Sequence, residues 1–120
     1  MLLRILFCKG LCGLIILSLC MLLYNITIIL EESAAAEWLT WMQTVHLPAM
    51  MNTGKFVSNR LLKVVDSPNE GVTYCLQFVL DNQADYEHYK VEHAPAMQEE
   101  LNTRFKDRHV SFQTLMEYVD

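Results

Sequence analysis

Two periods of hydrophobic and polar positions organise the chain. Leu23-Tyr24-Asn25-Ile26-Thr27-Ile28-Ile29-Leu30 is β-branched and partly alternating, which predicts a strand. Glu31-Glu32-Ser33 then supplies an N-cap candidate and acidic residues suited to the positive end of a helix, so a helix is expected from near Ala34. Trp38, Trp41, Met42 and Val45 recur at i, i+3, i+4 and i+7 and should share one buried face. Pro48 is tolerated as the first residue of a continuing turn, and Gly54 supplies the stop. Phe56 to Val65 predicts a second strand, followed by Asp66-Ser67-Pro68-Asn69-Glu70-Gly71 with the composition of a hairpin connection. From Val72 to Leu80, Val72, Tyr74, Leu76, Phe78 and Leu80 alternate with more polar residues and mark a third strand with one strongly apolar face. Asp81 or Asn82 then caps a long helix to about Arg104, bent or broken at Pro95. Val110, Phe112, Thr114, Met116 and Tyr118 alternate as a fourth strand.

A faint internal repeat underlies this order. His46-Leu47-Pro48-Ala49-Met50 returns as His93-Ala94-Pro95-Ala96-Met97, and the pair Trp38 and Trp41 answers to Tyr86 and Tyr89. Two βαβ halves joined head to tail give an α+β fold of ferredoxin-like βαββαβ order, a four-stranded antiparallel sheet with two helices on one face. The other sheet face then needs a cover, and a homodimer packing sheet on sheet is the simplest one.

Composition divides the chain in two. Of 120 residues 52% are hydrophobic and 19% charged, and the apolar excess sits in residues 1–20, where Arg4 and Lys9 are the only charges. Residues 21–120 are expected to be a single domain. Gly10 to Leu30 is an uncharged run long enough to span a bilayer, but its second half is needed for the first strand. Met21 stands where a compact domain would begin, so the leading reading makes residues 1–20 an over-extended start and the protein cytoplasmic. The alternative is a signal or anchor segment, with membrane association only if those residues are translated and retained. From Met21 onward the balance is strongly acidic, which argues against a nucleic-acid surface. Cys75 is the domain's one cysteine, so no disulfide framework is available there.

Several stretches, in order and at fixed spacing, carry a resemblance: Tyr24-Asn25-Ile26-Thr27, Glu37-Trp38-Leu39-Thr40-Trp41-Met42, His46-Leu47-Pro48, Thr53-Gly54, Gly71-Val72-Thr73-Tyr74, Asp85-Tyr86, Glu92-His93-Ala94-Pro95 and Arg104-Phe105-Lys106. Together they resemble a bacterial family of domains of unknown function, of the DUF4286 type, over essentially Met21 to Val119. The resemblance implies a small cytoplasmic protein of the dimeric α+β barrel group. Relatives by fold include cofactor-independent monooxygenases, heme-degrading monooxygenases and ligand-binding modules, so the fold does not choose a function, and no catalytic residue transfers by motif.

Candidate chemistry rests on the residues themselves. His46 and His93 each stand two residues before a proline at a helix break, where an imidazole either turns toward a cleft as a proton carrier or caps free carbonyls. Trp38, Trp41, Tyr86 and Tyr89 either line a pocket for a small apolar or aromatic ligand or are plain core. Arg60, among apolar strand neighbours, either binds a ligand carboxylate or forms a solvated or interface ion pair. No metal-ligand spacing, phosphate loop or nucleophile elbow is present, and no cofactor is expected. The expected function is therefore a small-molecule binding or interaction module; the alternative is a monooxygenase- or isomerase-like enzyme using His46 or His93 as base.

Overall fold

In a computed structural model that describes residues 21–119, strand β1 (Leu22–Leu30) leads into helix α1 (Glu32–Trp41). A π-helical turn (Met42–His46) and the short helix α2 (Leu47–Met51) continue it. Strands β2 (Ser58–Lys63) and β3 (Val72–Leu80) form the central hairpin. Helices α3 (Gln83–Glu92) and α4 (Ala94–Arg104) precede strand β4 (His109–Glu117). The sheet is four-stranded in the order β2-β3-β1-β4, antiparallel throughout, which is the predicted ferredoxin-like βαββαβ topology. The leader of residues 1–20 lies outside the described residues. Among the described residues no helix is long and apolar enough to cross a membrane.

The period of two along β1 and β3 explains the core. Leu22, Tyr24, Ile26, Ile28 and Leu30 pair with Leu80, Phe78, Leu76, Tyr74 and Val72, all facing the helices. Except for partly covered Val72, these residues are buried, together with Ala34, Trp38, Trp41, Met42, Met50, Phe56, Tyr89, Leu101 and Phe105. Leu61 is the one residue of β2 packed against this cluster.

Four local expectations change. The first helix starts at Glu32 rather than near Ala34; Glu31 caps it without a side-chain bond, and the Ser33 hydroxyl instead donates to Glu31 Oε1 at 3.3 Å. Val45, expected in the core, is 46% exposed, because the π-helical turn adds one residue and rotates His46 inward in its place. Regular β2 is shorter than Phe56 to Val65, and Phe56 ahead of it is buried and stacked on Tyr24 with ring centroids 6.4 Å apart. The second helical segment breaks at His93, two residues before Pro95, because Pro95 can only occupy the first turn of a new helix. Asn82, one of two predicted caps, accepts the Asp85 N–H at 2.8 Å.

Among the described residues nothing covers the sheet face away from the helices. It carries Leu23, Ile29 and Val79, Leu62 on β2 and the apolar half of β4, where Phe112 is 52% exposed. One row across the strands is polar: Arg60, Gln77, Asn25 and Thr114 lie side by side in register. Gln77 Nε2 donates to Asn25 Oδ1 at 3.3 Å, and Asn25 Nδ2 donates to Thr27 Oγ1 at 3.0 Å.

Candidate functional site

Pro48 cannot donate a backbone bond, and its ring crowds the carbonyl four residues earlier. The wider π-helical turn stands just before it, with the Leu47 N–H reaching back to the Met42 carbonyl. Turns of this kind recur at functional sites because they displace one side chain from the helical register. Here the displaced residue is His46, which is 4% exposed. Its ring lies against Trp41 with centroids 4.8 Å apart, and its Nδ1 has no hydrogen-bond partner among the described residues. Burial pushes the imidazole below its ordinary range, opposed in part by the charge of Glu100. At neutral pH it is therefore an uncharged base.

His46 lines a cavity of about 20 Å³ between the helices and the sheet. Tyr24, Ile26, Ile28, Leu76 and Gln113 form the sheet wall, Met50 and Tyr89 the sides, and Ala94, Met97, Gln98 and Leu101 the outer wall. The two halves of the repeat thus meet here: Met50 stands four residues after His46, and Met97 four residues after His93. None of the lining residues is Asp, Glu, Lys or Arg. Burial raises the hydroxyl of Tyr24 to about 12, with Tyr86 adding to the shift, and burial likewise raises Tyr89.

The sequence candidates fall into separate places. Trp38 is fully buried and stacks on Tyr74 with centroids 4.8 Å apart. Trp41 sits between His46 and Phe105, with the Arg104 guanidinium 5.2 Å over its ring. Both indole N–H groups are buried without partners among the described residues. Tyr86 and Tyr89 belong to a different cluster, packed on Tyr24 at 5.6 and 5.8 Å. His93 is half-buried at the rim of that cluster, its ring stacked on Tyr89 with centroids 6.1 Å apart, and is not on the cavity wall. Arg60 is exposed on the opposite sheet face, remote from the cavity. Tyr24, Met50, Met97, Gln98 and Gln113 were not singled out from the sequence. Of these, only Met50 and Met97 carried a signal, as the last residues of the repeat. Among the described residues no group of three His, Cys, Asp or Glu side chains is placed to hold a metal ion.

Fold and cleft together define a ferredoxin-like α+β protein. The chain belongs to the family described as a domain of unknown function, DUF4286, whose model matches residues 21–119. No curated protein matches it. Among solved structures it is similar to a dimeric ferredoxin-like protein from an uncultured marine organism, at 7% identity and a TM-score of 0.61 over 84% of this chain and 97% of that one. The cofactor-independent oxygenase SnoaB of Streptomyces nogalater, crystallised as a mutant, matches at 13% identity and a TM-score of 0.61, over 83% and 94% of the two chains. The heme-degrader MhuD of Mycobacterium tuberculosis, solved with two hemes in its active site, matches at 16% identity and a TM-score of 0.61, over 82% and 96%. At these identities the likeness establishes the fold.

Proposed function

We propose that this protein is a cytoplasmic homodimeric module that holds a small apolar or aromatic molecule between its helices and its sheet. The observation that carries this reading is His46, rotated into an uncharged cleft by the π-helical turn and left with an unpartnered Nδ1. A buried polar atom without a partner costs about 1–3 kcal/mol, and a ligand that bonds to it recovers that cost. The dimer reading is supported by the uncovered sheet face with its apolar β4 residues and by a structural neighbour described as dimeric. Native mass spectrometry of the protein purified from its own cells tests both parts. The expected result is twice the chain mass with an additional small bound mass, released unchanged on denaturation. A bare monomer would overturn both.

One observation favours a second reading, a cofactor-independent oxygenase- or isomerase-like enzyme. His46 is held as the free base in a water-poor cleft, the state a proton-abstracting group needs. In that case the extracted molecule would be consumed on incubation with protein and air, and a folded His46→Gln variant would leave it intact. Equal consumption by the variant would remove His46 as the base.

A further inference from the structure

The cavity beside His46, about 20 Å³, has room for roughly one water. If the cleft receives a molecule, as proposed above, one wall has to move. Apart from Gln113 on the edge strand β4, the sheet wall lies on the two central strands β1 and β3, and Met50 and Tyr89 are buried at 0% and 2% exposure. Helix α4 is built differently. Leu101 is its only buried residue, and both of its ends are backbone joints. His93 caps it at φ −121° and ψ −36°, with Pro95 in its first turn unable to donate a bond across the break. Beyond its far end Asp107 sits in the left-handed region at φ 61°. That far end is anchored, because Phe105 is fully buried against Trp41. The half nearer His93 rests on the core only through the partly buried Ala94 and Met97 and is held to β4 by an amide pair, Gln113 Nε2 donating to Gln98 Oε1 at 3.2 Å. This pair is exposed, so water replaces it at little net cost.

We propose that α4 is the door of the cleft: its Ala94 to Gln98 half swings away from β4, parting Gln98 from Gln113, and admits an uncharged molecule that bonds to His46. The absence of any charged side chain from the lining selects for an uncharged guest, since a buried unpaired charge is far more costly than a buried polar atom. The proposal rests on the cleft being the ligand site, but the motion is measurable without a ligand.

Hydrogen exchange read by mass spectrometry on the full chain, with the Gln113→Ala variant and with 1-naphthol as a neutral aromatic probe, makes the test. Amides of residues 97–101 are expected to exchange at least about tenfold faster than those of residues 37–41 in α1, through local opening. Gln113→Ala should accelerate them further and leave β1 and β3 unchanged, and saturating 1-naphthol should slow them. Exchange of residues 97–101 in step with β1 and β3, unaltered by the variant, would overturn the door. Fast local exchange that 1-naphthol does not slow would keep the door and count against the binding reading on which it rests.

Discussion

At the scale of single residues, His46 carries opposed demands. Its unpartnered nitrogen is a cost to the fold, so His46→Leu, a swap into apolar surroundings, should leave the urea midpoint unchanged or raise stability by about 1 kcal/mol at pH 7.5 while abolishing ligand capture. A loss above about 2 kcal/mol would show instead that the imidazole is a structural element. The same residue sets a pH dependence. Burial depresses its folded-state value from the ordinary 6.5, so the unfolded chain takes up the proton first. Stability from this source is complete above pH 6.5 and is lost as the pH falls below it. Denaturation series at pH 7.5 and 5.5 should show the decline in the natural chain and a shallower one in His46→Leu. His46 was legible in the sequence through its place before Pro48. Its burial was not, because a reading at constant helical period puts Val45 on the inner face. Tyr24 was hidden for the opposite reason, as one more inward residue of a regular strand.

At the scale of elements, corners and caps offer sharper tests than strands. Gly71 lies at φ 90°, and a Cβ there would collide with the Leu30 carbonyl oxygen, whereas Gly54 at φ 78° has open space around it. Gly71→Ala should therefore cost more than the roughly 1–2 kcal/mol of left-handed strain alone, and Gly54→Ala about that strain and no more. Equal thermal shifts for the two would contradict the packing of the β3 corner on the end of β1. Asn82→Ala should remove the cap of α3 at about 1 kcal/mol. Strand β3 was legible through its alternation and β1 through its β-branched, partly alternating run, and their pairing buries every inward residue but the partly covered Val72. The helices were less so: the π-helical turn and the break at His93 both arise from prolines acting on the turn before them, an effect spread over several residues that hydrophobic spacing does not record.

At the scale of the molecule, the uncovered sheet face is the feature that most needs explanation. Phe112→Asp places a charge among Leu62, Cys75 and Thr27 in the same row, and should convert a dimer to a monomer in sedimentation analysis with little change in far-ultraviolet circular dichroism. A dimer that survives the substitution would mean that this face is not the interface. The open face could be inferred from the element count, but not the arrangement of polarity upon it, which depends on the registers of three strand pairs. That arrangement has a consequence of its own. The row of Arg60, Gln77, Asn25 and Thr114 splits the apolar surface into two bands, so in the proposed dimer a chain not yet paired would offer no broad sticky plane to other nascent chains. Under that proposal, sliding by one rung would set amides against aliphatic side chains and disfavour mispaired encounters.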